Sequence, residues 1–160
     1  MEVTAEYVGG TKFEVGARGH RVLCDQPTNN GGADEGMSPP EFLLASLASC
    51  AGYYAAQYLN TRHLPSGGLK VRVQAEKAFQ PARLGSFLIE VDVPVLGDQA
   101  ERHQAGLLRA VKTCLVHNTL LEAPAIAVEV HVAGAGASPA ARAAIVETWN
   151  EPAKTNLHAS

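Results

Sequence analysis

Between Phe42 and Leu59 the chain carries no charged residue, and a helix through this run is apolar on every face. Such a helix is enclosed on all sides, by a protein core or by a membrane. The run lies inside a longer stretch, Ser38 to His63, that has helix boundaries written at both ends. Ser38 is placed to accept a hydrogen bond from the backbone N–H three residues on, and Glu41 stands where a capping box needs its acid. Pro39 takes the first helical position, where its missing N–H costs nothing. Arg62 and His63 fall in the last turn, where positive charge suits the helix dipole. Pro65 and Gly67-Gly68 end the stretch. At 1.5 Å per residue the helix is roughly 35 Å long, about the width of a small domain. The uncharged run has the length of a membrane span. However, Ser46, Ser49, Gly52 and Gln57 interrupt it and the rest of the chain is soluble in character. The expectation is therefore a buried rod in a protein with no membrane partner.

The 160 residues, 46% hydrophobic and 18% charged, fit one globular domain over residues 1–150 with a polar tail at 151–160. A net charge of −3 with no basic stripe argues against a nucleic-acid partner. The opening MEVTAEYV has no basic n-region or apolar signal core, so no export is expected. Three cysteines without framework spacing suit a reducing cytoplasm better than a secreted scaffold.

Before the long helix, residues 2–8, 11–15 and 20–25 read as three short strands separated by Gly9-Gly10 and by Gly16-Ala17-Arg18-Gly19. A loop rich in Pro, Gly and Asn leads from Gln26 to Pro40. After the helix, Leu69–Phe79 alternates apolar and polar residues, as does a half-buried strand. Gly85–Val95 is expected to pair with it as a hairpin. A second helix is predicted from about Asp98 to Thr113, with Leu107, Leu108 and Val111 as its buried stripe, and Cys114 at or just after its end. Residues 125–133 form another alternating strand, and Ser138-Pro139 is expected to start a last helix through AARAAIVETWN. The order gives an α+β fold, a curved antiparallel sheet packed on a long apolar helix.

Chemistry begins with the thiols. Cys50 sits mid-helix, with Leu47 and Tyr53/Tyr54 one turn either way. A free cysteine there is commonly a small hydrophobe. Cys114 lies at a helix terminus beside Lys112 and three residues before His117, a setting in which thiol pKa values shift. Spacing alone does not bring two thiols within the roughly 7 Å between Cα atoms that a bridge requires. Cys114-x-x-His117 is half a zinc spacing with no second half, so no metal and no cofactor is expected. No GxSxG elbow, P-loop or GxGxxG is present. Asp34 and Glu35, in a glycine-rich loop, read as solvated charges.

The segment from Asp25-Gln26-Pro27 through SPPEFLLASLASC to Cys50, together with CLVHNTL around Cys114, resembles the OsmC/Ohr family, the osmotically inducible and organic-hydroperoxide-resistance proteins. The resemblance covers nearly the whole chain, and Cys114 follows Cys50 by 64 residues (114 − 50), the family's usual separation. It implies an α+β fold of two intertwined chains, an obligate homodimer in which both subunits build each active site. Carried over, Cys50 is similar to the peroxidatic thiol, Cys114 to the resolving thiol and Arg18 to the activating arginine. The implied activity is thiol-dependent reduction of organic hydroperoxides, through a Cys50 sulfenate and a Cys50–Cys114 disulfide that a dithiol reductant reopens.

The chain departs from the organic hydroperoxide reductases where they carry an arginine-orienting carboxylate, ten residues before the first thiol. Pro40 stands there, and the nearest acid is Glu41, nine before. One residue turns a helical side chain by roughly 100°, so Glu41 is a candidate for that role with the cap as its alternative duty. Leu115, where the family commonly has proline, and the extra Cys24 point to the broader OsmC-like branch. Two other functions compete: a non-catalytic protein holding an apolar small molecule beside the long helix, and, on architecture alone, an acyl-thioester hydrolase.

Overall fold

A computed structural model describes residues 1–132 and 143–149. The elements are β1 (Thr4–Gly9), β2 (Lys12–Ala17), β3 (His20–Cys24), α1 (Pro39–Asn60), β4 (Lys70–Phe79), β5 (Ala82–Asp92), α2 (Ala100–Val111), α3 (Leu115–Leu121), β6 (Ile126–Val132) and β7 (Ala143–Trp149). Short 3-10 helices precede α1 at Thr28–Asn30 and α2 at Pro94–Gln99. The chain divides into two compact units, Met1–His117 and Asn118–Ser160.

All strand pairs are antiparallel, but they form three sheets rather than the one curved sheet expected: β1-β2-β3, β4-β5 and β6-β7. In the first, β2 and β3 pair from Phe13↔Cys24 to Ala17↔His20. Their two-residue turn, Arg18-Gly19, has φ of 51° and 84°. Positive φ at both central positions is the turn whose twist matches that of the flanking strands, which explains why Arg18 adopts a backbone that L-residues seldom take.

The helix α1 begins as its sequence promises. Ser38 N–H donates to Glu41 Oε2 at 2.7 Å, and the Ser38 hydroxyl lies 2.8 Å from the same oxygen. Burial along α1 is narrower than its composition suggests. Leu47, Ala51, Ala55 and Leu59, spaced four apart, are buried, whereas Tyr53 is 61% exposed. A four-residue interval keeps side chains on one face. That face meets β4, β5 and α2, and Tyr53 lies away from it. No helix among the described residues is long and apolar enough to cross a membrane.

The core joins Ala51, Ala55 and Val111 with Leu69, Val71, Ile89, Val91 and Leu107. Small alanines on α1 let β4 and α2 come close, and Leu47 and Leu59, 1% and 0% exposed, anchor the same face. Fully burying a leucine contributes about 1.5–3 kcal/mol.

In the second unit, β6 pairs with β7 from Ile126↔Trp149 to Val132↔Ala143. The segment expected to be a helix is thus a strand over Ala143–Trp149. Its alanines favour a helix, but Ile145, Val146, Thr148 and Trp149 are strand formers and the ladder to β6 satisfies their backbone. The expected helix start at Ser138-Pro139 and the tail at 151–160 lie outside the described residues.

Candidate active site

The pairing of α1 with α2 places the thiols. Tyr58 meets His103, Ala51 and Ala55 meet Val111, and Cys50 meets Cys114. As the residue number falls along α1 it rises along α2, so the helices are antiparallel. The α-helix ends at Val111, the chain turns through Lys112-Thr113, and the Cys114 N–H donates to the Val111 carbonyl at 3.0 Å. This break turns Cys114 inward, where it is 0% exposed, and brings its thiol into hydrogen-bonding contact with Cys50, which is half-buried. Both thiols are free.

Burial pushes the Cys114 thiol pKa up, and its hydrogen bond to Cys50 pushes it further the same way. The His117 N–H, donating to Cys114 Sγ at 3.4 Å, opposes this. Cys114 therefore keeps its proton, leaving Cys50 as the sulfur open to a reactant. Leu47 lies one turn before Cys50, and Tyr53 and Tyr54 pack edge to face at 5.3 Å one turn after it.

Two other sequence candidates lie apart from this pair. Arg18 occupies the tip of the β2–β3 hairpin and makes no ion pair among the described residues. Glu41 is held by Ser38, whose backbone N–H and hydroxyl both hold its carboxyl below the usual range. It stands nine residues before Cys50, about 13 Å along the helix axis, and no ion pair joins it to Arg18.

A third thiol, Cys24, ends β3 and is 6% exposed. It pairs with Phe13 and bridges to Met37. It lines a hollow of about 560 Å³ with Phe13, Val15, Val22, Pro39 and Phe42. This is the apolar side of the first sheet.

Beside Cys24, sequence inspection passed over the function of Asp25 in the Asp25-Gln26-Pro27 motif. Asp25 is fully buried and accepts hydrogen bonds from Thr11 Oγ1 at 2.5 Å and from the backbone N–H groups of Gln26 (2.8 Å), Ala33 (3.0 Å) and Glu35 (3.2 Å). The Thr11 bond leads these in holding its carboxyl at about 2. The loop is thereby folded around one carboxylate, and Lys12 Nζ fastens it again at Glu35, 2.6 Å away. Gly36 completes the packing, since a Cβ there would overlap the Leu23 carbonyl.

Among the described residues no group of three His, Cys, Asp or Glu side chains is placed to hold a metal ion. The fold is α+β, and Cys50 and Cys114 are both free thiols. Residues 31–131 match the model of the OsmC-like protein family, and the chain belongs to that family. Among curated proteins, none matches it. Solved structures do. A Psychrobacter arcticus protein named for osmotic stress induction and detoxification response is 21% identical, with a TM-score of 0.66 over 73% of this chain and 85% of that one. An OsmC-like protein from Mycoplasma pneumoniae is 19% identical, with a TM-score of 0.61 over 76% and 87%. An organic hydroperoxide resistance protein from Legionella pneumophila is 15% identical, with a TM-score of 0.56 over 76% and 90%. At these identities the likeness is one of fold.

Proposed function

We propose that the chain is a thiol-dependent peroxidase that reduces organic hydroperoxides to alcohols. The observation that carries this reading is the contact of the half-buried Cys50 with the buried Cys114. Structural neighbours from Legionella pneumophila and Elizabethkingia anophelis, named as organic hydroperoxide resistance proteins, support it. A free thiol is only a few per cent thiolate at neutral pH, and a nearby guanidinium raises that fraction. The Cys50 thiolate attacks the distal oxygen of ROOH, the O–O bond breaks, and the alkoxide leaves as ROH after taking a proton. Cys50 is then a sulfenic acid. Cys114 attacks that sulfur, and its retained proton leaves with the sulfenic hydroxyl as water while the S–S bond forms. A dithiol reductant returns both thiols.

This chemistry needs a guanidinium beside Cys50, and Arg18, on its hairpin tip, makes no ion pair among the described residues. We propose that a homodimer supplies that guanidinium, with Arg18 of a second copy facing Cys50. The apolar hollow of the first sheet supports this assembly: Val3, Phe13 and Val22, which line it together, are 65%, 39% and 48% exposed, and a contiguous exposed apolar face marks an interface. The test is hydroperoxide consumption with a dithiol reductant. Cys50→Ser should abolish it, and Arg18→Ala should slow it by at least tenfold. Unchanged turnover in Cys50→Ser overturns the reading.

The bond from Glu41 to Ser38, and Pro40 in place of an orienting acid, favour a second reading, a non-catalytic protein that binds an apolar ligand. It requires Cys50 and Cys114 to stay unlinked after stoichiometric peroxide, which non-reducing peptide mapping reads directly.

A further inference from the structure

The thiols occupy one end of the α1–α2 pair, and a different cluster occupies the other. Tyr58 Oη lies 3.1 Å from His103 Nδ1, and the rings meet edge to face at 6.0 Å. Arg62 stacks its guanidinium 3.8 Å over the centre of the Tyr58 ring. Beneath that ring lies Gly106, which is buried. A Cβ at Gly106 would overlap the Tyr58 hydroxyl and lie 2.5 Å from Cζ and 2.6 Å from Cε2. The tyrosine thus fits only because position 106 has no side chain. A hydrogen bond at its hydroxyl and a close steric fit against Gly106 hold it in one place.

The spacing ties this cluster to the chemistry. Tyr58 lies eight residues after Cys50 on α1, and His103 lies eight before Val111 on α2, the residue whose carbonyl receives the Cys114 N–H. Eight residues are about 12 Å of helix on either side. Ala51, Ala55, Leu107 and Val111 fill the interval by apolar packing, which is non-directional. A seat for Tyr58 between His103 and Gly106 restricts sliding along the axis strongly.

We propose that Tyr58, His103 and Gly106 form a register clamp that fixes α2 along α1 and so presents Cys114 to Cys50. They are positioning residues for closure of the disulfide and touch no reactant. The proposal rests on the peroxidase reading for its consequence, since the step it governs is Cys50–SOH + Cys114–SH → disulfide + H2O. Attack of peroxide on Cys50, which sits on α1 itself, does not depend on where α2 lies. Misplacing reacting groups by about 1 Å can cost on the order of 10²-fold in rate, so the clamp separates the two steps.

The experiment compares the wild-type chain with Gly106→Ala, Tyr58→Phe and the double variant Gly106→Ala/Tyr58→Leu, in which the shorter side chain vacates the space that the new methyl needs. One equivalent of an alkyl hydroperoxide is added in a single turnover. Peroxide loss reads the first step, and dimedone trapping of the Cys50 sulfenate against disulfide formation reads the second. A parallel equilibration in dithiothreitol redox buffer reads the ease of pairing Cys50 with Cys114 without any peroxide. In Gly106→Ala, peroxide loss should stay at the wild-type rate while disulfide closure slows at least tenfold and trapped sulfenate rises. Tyr58→Phe should slow closure several-fold, and the double variant, which relieves the clash but has no tyrosine to seat, should close no faster than Tyr58→Phe. Closure at the wild-type rate in both single variants, with an unchanged redox equilibrium, overturns the clamp. Closure at the wild-type rate in the double variant also overturns it, because a chain without the tyrosine seat would then present Cys114 as well as one that has it; peroxide loss at the wild-type rate in each variant shows that the fold is kept. A wild-type chain that forms its disulfide in redox buffer but never with peroxide overturns the peroxidase reading instead; the redox equilibria of the variants then decide the clamp.

Discussion

Oxidation should join Cys50 to Cys114, leave Cys24 free, and raise the stability of the chain. The magnitude follows from the loop that the bond closes. The two positions are 64 residues apart in sequence, and closing a loop of that length removes unfolded-state entropy equivalent to about 4 kcal/mol at 25 °C. Part of this is offset by strain that the bond places on the folded chain, and the net gain should be about 2–4 kcal/mol. With a urea dependence of about 1–3 kcal/mol per molar, the unfolding midpoint of the oxidised chain should lie roughly 1–4 M above that of the reduced chain. The assay is equilibrium urea unfolding of reduced and peroxide-oxidised protein, with peptide mapping to identify the bond and Cys114→Ser as the unlinkable control. A bond that maps to Cys24, or an oxidised chain that unfolds at lower urea than the reduced one, refutes the placement of Cys114 against Cys50.

Asp25 sets an acid limit on the N-terminal sheet and its loop. Its pKa is about 2 in the folded chain against an ordinary 3.8, so the unfolded chain binds more protons between these values. Its contribution is complete above about pH 4 and falls as pH drops toward 2; Asp25→Asn should flatten that slope in acid unfolding monitored by circular dichroism, and an unchanged slope contradicts the buried knot. At the far end of α1, Leu59→Ala removes a side chain that is 0% exposed and should cost about 2–5 kcal/mol in urea unfolding. A cost below about 1 kcal/mol, the size expected of a surface site, contradicts its burial.

The helix α1 was legible because each of its signals is local. The Ser38–Glu41 box, Pro39, and the glycines after Pro65 act within a few residues, and the structure places the helix at Pro39–Asn60. The alternation in Leu69–Phe79 likewise reports a strand with one covered face, found at Lys70–Phe79. Composition misled where two tendencies compete, as in the Ala-rich segment that became β7, because a strand is stabilised by a partner that the segment itself does not contain. It misled again on α1, whose uniform apolarity says nothing about which side its neighbours cover.

The sequence by itself determined which side chains are candidates for the chemistry. Cys50 stands on an uncharged helix, Cys114 follows at the family's separation, and both are side chains whose chemistry comes with them. Only the tertiary structure decided that they meet, because contact across 64 residues depends on the antiparallel register of α1 and α2. It also decided what the residues around them do. Asp25 is the buried centre of a loop tied to Thr11, and Gly106 is the space into which Tyr58 fits. Each of those roles is a distance between atoms far apart in the chain, and local periodicity carries no such distances.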